Sequence, residues 1–189
     1  MAIIITPSLK NFLDDRLEKA FLKPAEEKNE FRLYDENKFE HADRWIEALL
    51  SGEYEQGASY LCLIDGFVDP DTGLIRDLMK SYCCLGVLTD MVSDDWYDDD
   101  HDLVEYSADE DNNFRYTLNE YMQSGFDNGE GTLINMETAE EMGFFPMTQD
   151  LLASLNDFGA SFSDIAKVIA ANDMREIKSI FDDHEVEGV

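Results

Sequence analysis

Apolar residues along the chain fall into short runs at two periods, and those periods set the expected elements. Leu9, Leu13, Leu17, Ala20 and Phe21 recur at helical spacing. Thr6-Pro7 ahead of them reads as an N-cap followed by proline at the first helical position, and Pro24 ends the run. Ile3 to Ile5 reads as a short strand before it, and residues 25–37 are charged and irregular. A second helix is expected over Glu40 to Leu50, with Trp45, Leu49 and Leu50 inward and Ser51-Gly52 as its stop. Ser59 to Ile64 and Leu74 to Leu78 read as two strands across a turn at Asp69-Pro-Asp-Thr-Gly73. Tyr82 to Val92 is nearly continuous apolar sequence. Its length and leucine content favour a buried helix, although Gly86 lowers its helix propensity.

Ser93 to Asn113 breaks this pattern with a dense run of acids, within which Leu103, Val104 and Tyr106 could form a strand. Phe114, Leu118, Tyr121 and Met122 then fit one face of an amphipathic helix, stopped by Gly125. Asn128 to Gly131 reads as a turn and Leu133-Ile134 as a short strand. Thr138-Ala-Glu-Glu141 has the spacing of a capping box and opens a one-turn helix ending at Gly143. Leu151, Leu152 and Leu155 mark the next helix, closed at Phe158-Gly159. Ser161 or Ser163 caps another, with Ile165, Ala166, Ile169 and Ala170 inward. Met174, Ile177, Ile180 and Phe181 carry a last helix. The fold class expected is α+β, a helix-dominated single domain with a small antiparallel sheet. Residues 1–37 form an N-terminal helix and charged connector, and residues 38–189 a globular core with an acidic insertion at about 93–113. No internal repeat is visible.

Charge changes this picture most. The chain of 189 residues has a formal net charge of −29, and −19 of it lies between Ser81 and Ala166, where Arg115 is the one basic residue. Twelve Phe, eight Tyr and two Trp argue against a disordered acidic tail. The acid therefore sits on a folded body and faces water, because buried unpaired carboxylates are too costly. Segregated charge makes a directional field, which points to a positively charged partner. The N-terminus has no positive region and no signal-length apolar run, and no stretch approaches a membrane span. Cys62, Cys83 and Cys84 are an odd count with two adjacent residues, a poor disulfide framework. They read as small apolar residues of a reduced, intracellular protein.

The candidate binding residues are Asp94, Asp95, Asp98, Asp99, Asp100, Asp102, Glu105, Asp109, Glu110 and Asp111. Phosphates of duplex DNA recur about every 3.4 Å per strand, and carboxylates on adjacent helical turns are about 5–6 Å apart. A surface so lined could occupy the groove of a nucleic-acid-binding protein. The plain alternatives are a solvated, solubilising segment and weak capture of Mg²⁺ or Ca²⁺ by Asp98-Asp-Asp-His-Asp102. Asp69 to Gly73 resembles the start of an EF-hand loop, but Leu74 and Lys80 stand where glycine and glutamate are needed, so a tight turn is the better reading. His41, His101 and His184 are scattered, and Cys62 with Cys83 does not make a zinc set. Phe162-Ser-Asp-Ile-Ala-Lys-Val-Ile has the rhythm of a recognition helix, but it offers Asp164, Asp173 and only Lys167 to phosphates, so a packed helical hairpin is expected instead. No phosphate loop or catalytic triad order is present, and no enzyme, cofactor or metal is expected.

Three segments carry a family resemblance: Trp45-Ile-Glu-Ala-Leu-Leu-Ser-Gly-Glu-Tyr-Glu-Gln56, Tyr82-Cys-Cys-Leu-Gly-Val-Leu-Thr-Asp90 and Leu151-Leu-Ala-Ser-Leu-Asn-Asp-Phe-Gly-Ala-Ser-Phe-Ser-Asp-Ile-Ala166. In order and spacing they resemble a group of small uncharacterised phage and prophage proteins, over roughly 40 positions. The resemblance implies a viral origin and a shared core and transfers no activity or catalytic residue. The acidic stretch and the N-terminal helix look like additions to that core. The expected function is a phage-encoded inhibitor in the host cytoplasm, mimicking nucleic acid and occupying the basic groove of a host nucleic-acid-binding or defence protein of restriction or CRISPR type. It would touch neither nucleic acid nor membrane directly. The alternatives are a shape-based interaction module and a metal-dependent enzyme.

Overall fold

The structure, a computed structural model, is described over residues 11, 32–69, 71–72, 75–92, 113–117 and 132–182. The expected strand at Ile3 to Ile5, the helix over Leu9 to Phe21 apart from Asn11, the strand at Leu103 to Tyr106 and the turn at Asn128 to Gly131 lie outside these residues.

Among the described residues six helices and three strands form an α+β fold in which helix dominates. Helix α1 is Ala42–Ser51, closed by Gly52 at φ 76. Trp45 and Leu49 are buried as expected, but Leu50, one residue further round the helix, is 56% exposed. Strand β1 is Cys62–Val68 and β2 is Ile75–Tyr82. Both lie further along the chain than the apolar runs suggested, and Ser59 and Tyr60 are bends before β1. Asp69 makes the turn between them: its Oδ1 accepts from the N–H groups of Asp71 and Thr72 at 3.0 and 3.1 Å.

Strand β3, Asn113–Thr117, pairs antiparallel with β1, giving the sheet order β2-β1-β3. This corrects the helix expected from Phe114 onward. Asn-Phe-Arg-Tyr-Thr alternates polar and aromatic residues and ends on a β-branched one, so five residues fit either period, and the open edge of β1 decides between them. Leu118, Tyr121 and Met122 lie outside the described residues. Leu133-Ile134 is not a strand either: Leu133 is a bend and Ile134 an isolated bridge.

Helix α2, Cys84–Val92, is buried from Cys84 through Thr89. Gly86 is the reason that it lies so deep. A Cβ there would come within 1.7 Å of the Leu61 carbonyl oxygen, so the residue that weakens the helix locally lets it press against the chain entering β1.

Helix α3, Met136–Met142, is capped by Asn135, whose side chain accepts from the Glu137 N–H at 2.9 Å. The expected cap, Thr138, sits inside the helix. Ile134, just before the true cap, is clamped by the Gln149 amide at 2.8 and 3.0 Å, which sets where the helix begins. Helix α4, Thr148–Asp157, and helix α5, Phe162–Ala171, form the expected hairpin. Ser161 caps α5. In α5 the inward set is Ile165, Ala166, Val168 and Ile169, while Ala170 is exposed. Helix α6, Met174–Asp182, follows after Asn172 at φ 45.

Trp45 lies at the centre of one core, with Phe39 and Phe144 against it at 6.0 Å between ring centres. Its indole N–H donates to the Cys84 carbonyl at 2.9 Å, which satisfies the one polar atom that its burial would orphan. Leu33 and Tyr34, in the charged connector, belong to this core as well.

Candidate functional site

All ten acidic candidates, from Asp94 to Glu110 and Asp111, lie outside the described residues. What is described is the frame that holds the two ends of that stretch. Before it, α2 runs to Val92, which packs against the core; after it, β3 pairs with β1 from Asn113. The chain between them leaves one buried helix and returns to one sheet edge.

The three sequence segments quoted above converge on a polar seam at the edge of the core, with Asn156 buried and Gln56 on its exposed side. Asn156 in α4 accepts from the Cys84 N–H at 3.2 Å and from the Gln56 amide at 3.1 Å, and donates to the Gly57 carbonyl at 2.7 Å. Gln56 also donates to the Ala160 carbonyl at 2.8 Å and accepts from the Phe162 N–H at 3.1 Å. Two amide side chains thus join the start of α2, the approach to β1 and the α4–α5 turn. Their role is to satisfy backbone groups at helix ends and at the approach to β1 that are partly shielded from water. The amides were not singled out in the sequence. Their one local signal is a polar residue interrupting an apolar helical face, as Asn156 does after Leu155.

A second cluster closes the far end of α2. The Tyr54 hydroxyl donates to Asp90 Oδ2 at 2.7 Å, the Tyr82 hydroxyl reaches Asp90 Oδ1 at 3.5 Å, and the two rings meet edge to face at 5.2 Å. Burial, then the Asp90 hydrogen bond and charge, raise the Tyr54 hydroxyl pKa. Burial is also the main cause at Tyr82, with Cys62 and Asp90 adding to it. Both phenols stay protonated donors and hold a carboxylate that would otherwise face the negative end of α2.

The cysteines match the packing role expected of them. Cys62, Cys83 and Cys84 are buried and form no disulfide. Burial pushes the Cys83 thiol up to about 12 and the Cys84 thiol well above its usual value. Neither is a thiolate at neutral pH, which is the form a nucleophile or metal ligand needs. Among the described residues no group of three or more His, Cys, Asp or Glu side chains could hold a metal ion.

The α4–α5 hairpin has the outline considered for a DNA reader, but its chemistry runs the other way. Lys167 is engaged by Asp164 at 2.8 Å, and the Asp164 carboxyl in turn takes the Ser161 hydroxyl at 2.6 Å. Partial burial raises the Asp164 pKa, and these hydrogen bonds outweigh it and hold the carboxyl below its usual value. A cleft of about 440 Å3 opens beside α4, bordered by Ser59, Thr132, Ser154, Asp150 and Asp157. Ser59 has φ 70, and its N–H donates to Asp157 at 2.7 Å. Among the described residues the lining of the cleft also includes Leu133 and Ala153 and has no basic side chain, so the hydroxyls and carboxylates there suit a cationic group better than a phosphate.

Among the described residues no helix is long and apolar enough to cross a membrane. No curated protein and no solved structure matches the chain. A family model described as a domain of unknown function (DUF8296) matches residues 37–173, a span that takes in the whole sheet and α1 through α5, and the chain belongs to that family.

Proposed function

We propose that this DUF8296 protein is a phage-encoded acidic inhibitor. It acts in the host cytoplasm without catalysis and occupies the basic nucleic-acid groove of a host protein, of which defence nucleases are the natural class. The observation that carries this reading is the placement of charge: net −19 between Ser81 and Ala166 against −29 for the whole chain. Two further features support it. The described elements on either side of the acid-dense residues 93–111 are the core-packed end of α2 at Val92 and the strand β3 from Asn113. Two of the acids in that count, Asp150 and Asp157, border the cleft beside α4, which places them on the folded body.

Binding of this kind gains its rate and much of its selectivity from long-range attraction, so salt weakens it. The test is affinity capture from bacterial lysate, with and without competing duplex DNA, followed by titration of the captured partner at rising ionic strength. The partner is expected to be basic, to be displaced by DNA and to lose affinity steeply with salt. Changing Asp98, Asp99, Asp100 and Asp102 together to Lys is expected to abolish capture while the helical signal stays. Binding that survives both charge reversal and high salt overturns the proposal in favour of contact by shape.

A further inference from the structure

Leu33 and Tyr34 are held in a way that distinguishes them from the rest of the core. Their backbone is read group by group. The N–H groups of both donate to Asn172 Oδ1 at 3.0 Å each, and the Asn172 amide donates back to the Tyr34 carbonyl at 3.1 Å. The Leu33 carbonyl accepts from the Phe145 N–H at 2.9 Å and from the Thr148 hydroxyl. The Asp35 N–H donates to the Gly143 carbonyl at 2.9 Å, and Tyr34 bridges antiparallel to Phe144. The side chains then add selectivity: Leu33 is buried, and the Tyr34 hydroxyl donates to the Ile169 carbonyl at 3.1 Å. Main-chain hydrogen bonds for affinity and side-chain pockets for selectivity are how proteins recognise an extended peptide.

The walls and the occupant also belong to different parts of the chain. Gly143, Phe145, Thr148, Ile169 and Asn172 lie inside the family match at 37–173, whereas Leu33 and Tyr34 lie outside it. The contacts of Leu33 and Tyr34 with Asn172 span 139 and 138 residues of sequence. Asn172 is itself placed for reading. It caps α5 at φ 45, a conformation asparagine tolerates, and its side chain is spent on the neighbouring segment instead of on its own helix.

We infer that the DUF8296 domain carries a peptide-recognition groove between the α3–α4 connection and the α5 cap, read by Asn172. This chain fills the groove with its own Leu33-Tyr34 segment. Residues 32–36 are thereby attached by a releasable docking contact, which opens while the domain stays folded.

Asn172→Gly tests this in the full chain, because glycine keeps the left-handed cap and removes only the reading side chain. Hydrogen exchange at Leu33, Tyr34, Asp35 and Phe145 is expected to rise roughly tenfold or more, with amides of α2 and α4 unchanged, as for a local opening. No rise, or a rise spread through the whole core, overturns the inference. A second variant, Leu33→Asp with Tyr34→Ala, vacates the groove. A synthetic peptide of residues 31–38 is expected to bind it saturably and raise its melting temperature, and a scrambled peptide is not. Failure of that variant to fold, absence of binding, or equal binding of the scrambled peptide shows instead that the segment is an integral part of the core.

Discussion

At the scale of single residues, Gly86 separates local propensity from packing most sharply. In an isolated helix, Gly86→Ala would stabilise by about 1 kcal/mol. Here the added methyl would meet the Leu61 carbonyl oxygen at 1.7 Å, so the variant is expected to lose about 3 kcal/mol, as overpacked cores do, measured by urea unfolding. A neutral or stabilising outcome would mean that α2 does not lie against Leu61. Asn156 makes the complementary case. Asn156→Ala strands the buried Cys84 N–H and removes the donor to the part-buried Gly57 carbonyl, and the expected cost is about 2 kcal/mol, again from unfolding curves. Neither value is visible in the sequence, where Gly86 is a weak helix former and Asn156 a polar residue among leucines. Both take their importance from chain that lies far away, Leu61 in one case and Gln56 with Gly57 in the other.

Among the elements, the long apolar ones were legible and their margins were not. The α4–α5 pair stands where apolar periodicity put it, because a helix of ten residues shows its buried stripe several times over, and α2 follows from the length of its continuous apolar run, although it begins at Cys84 because Tyr82 closes β2. Strand β3 was misread because five residues sample each period too briefly. The start of α3 was misread because two polar residues, Asn135 and Thr138, both have the chemistry of a cap. A pair of variants tests that correction. Asn135→Ala is expected to cost about 1 kcal/mol and Thr138→Ala much less, by thermal or urea unfolding. The reverse order would return the cap to Thr138. Ser161→Ala is expected to cost about as much as Asn135→Ala, since Ser161 both accepts from the Asp164 N–H and donates to its carboxylate.

For the whole molecule, charge and burial set how stability responds to solution conditions. A chain of net −29 repels itself when folded, so raising NaCl through the physiological range is expected to raise its melting temperature. A melting temperature indifferent to salt would show that the acids are too dispersed to make a strong field. At alkaline pH the sign is opposite. An unfolded thiol titrates near 9.0, whereas Cys83 in the folded protein is held up to about 12, with Cys84 and the phenols of Tyr54 and Tyr82 shifted in the same direction. Between those values unfolding releases protons, so the contribution of these groups is complete below pH 9 and falls as pH rises from there, to be followed by urea unfolding at stepped pH. At the acid end Asp164 and Asp173 are held below their usual values, and their contribution is lost as pH falls below about 4. By itself the sequence determined the class of fold, the principal helices, the packing role of the cysteines and the segregation of charge, since each follows from local periodicity or from counting along the chain. Tertiary structure alone decided the pairing of β3, the Gln149 clamp on Ile134 that sets the start of α3, the amide seam of Gln56 and Asn156, and the seat of Leu33 and Tyr34 against Asn172. Those depend on which distant backbone groups are left without partners once the core closes, and no local window of sequence contains both halves of such a pair.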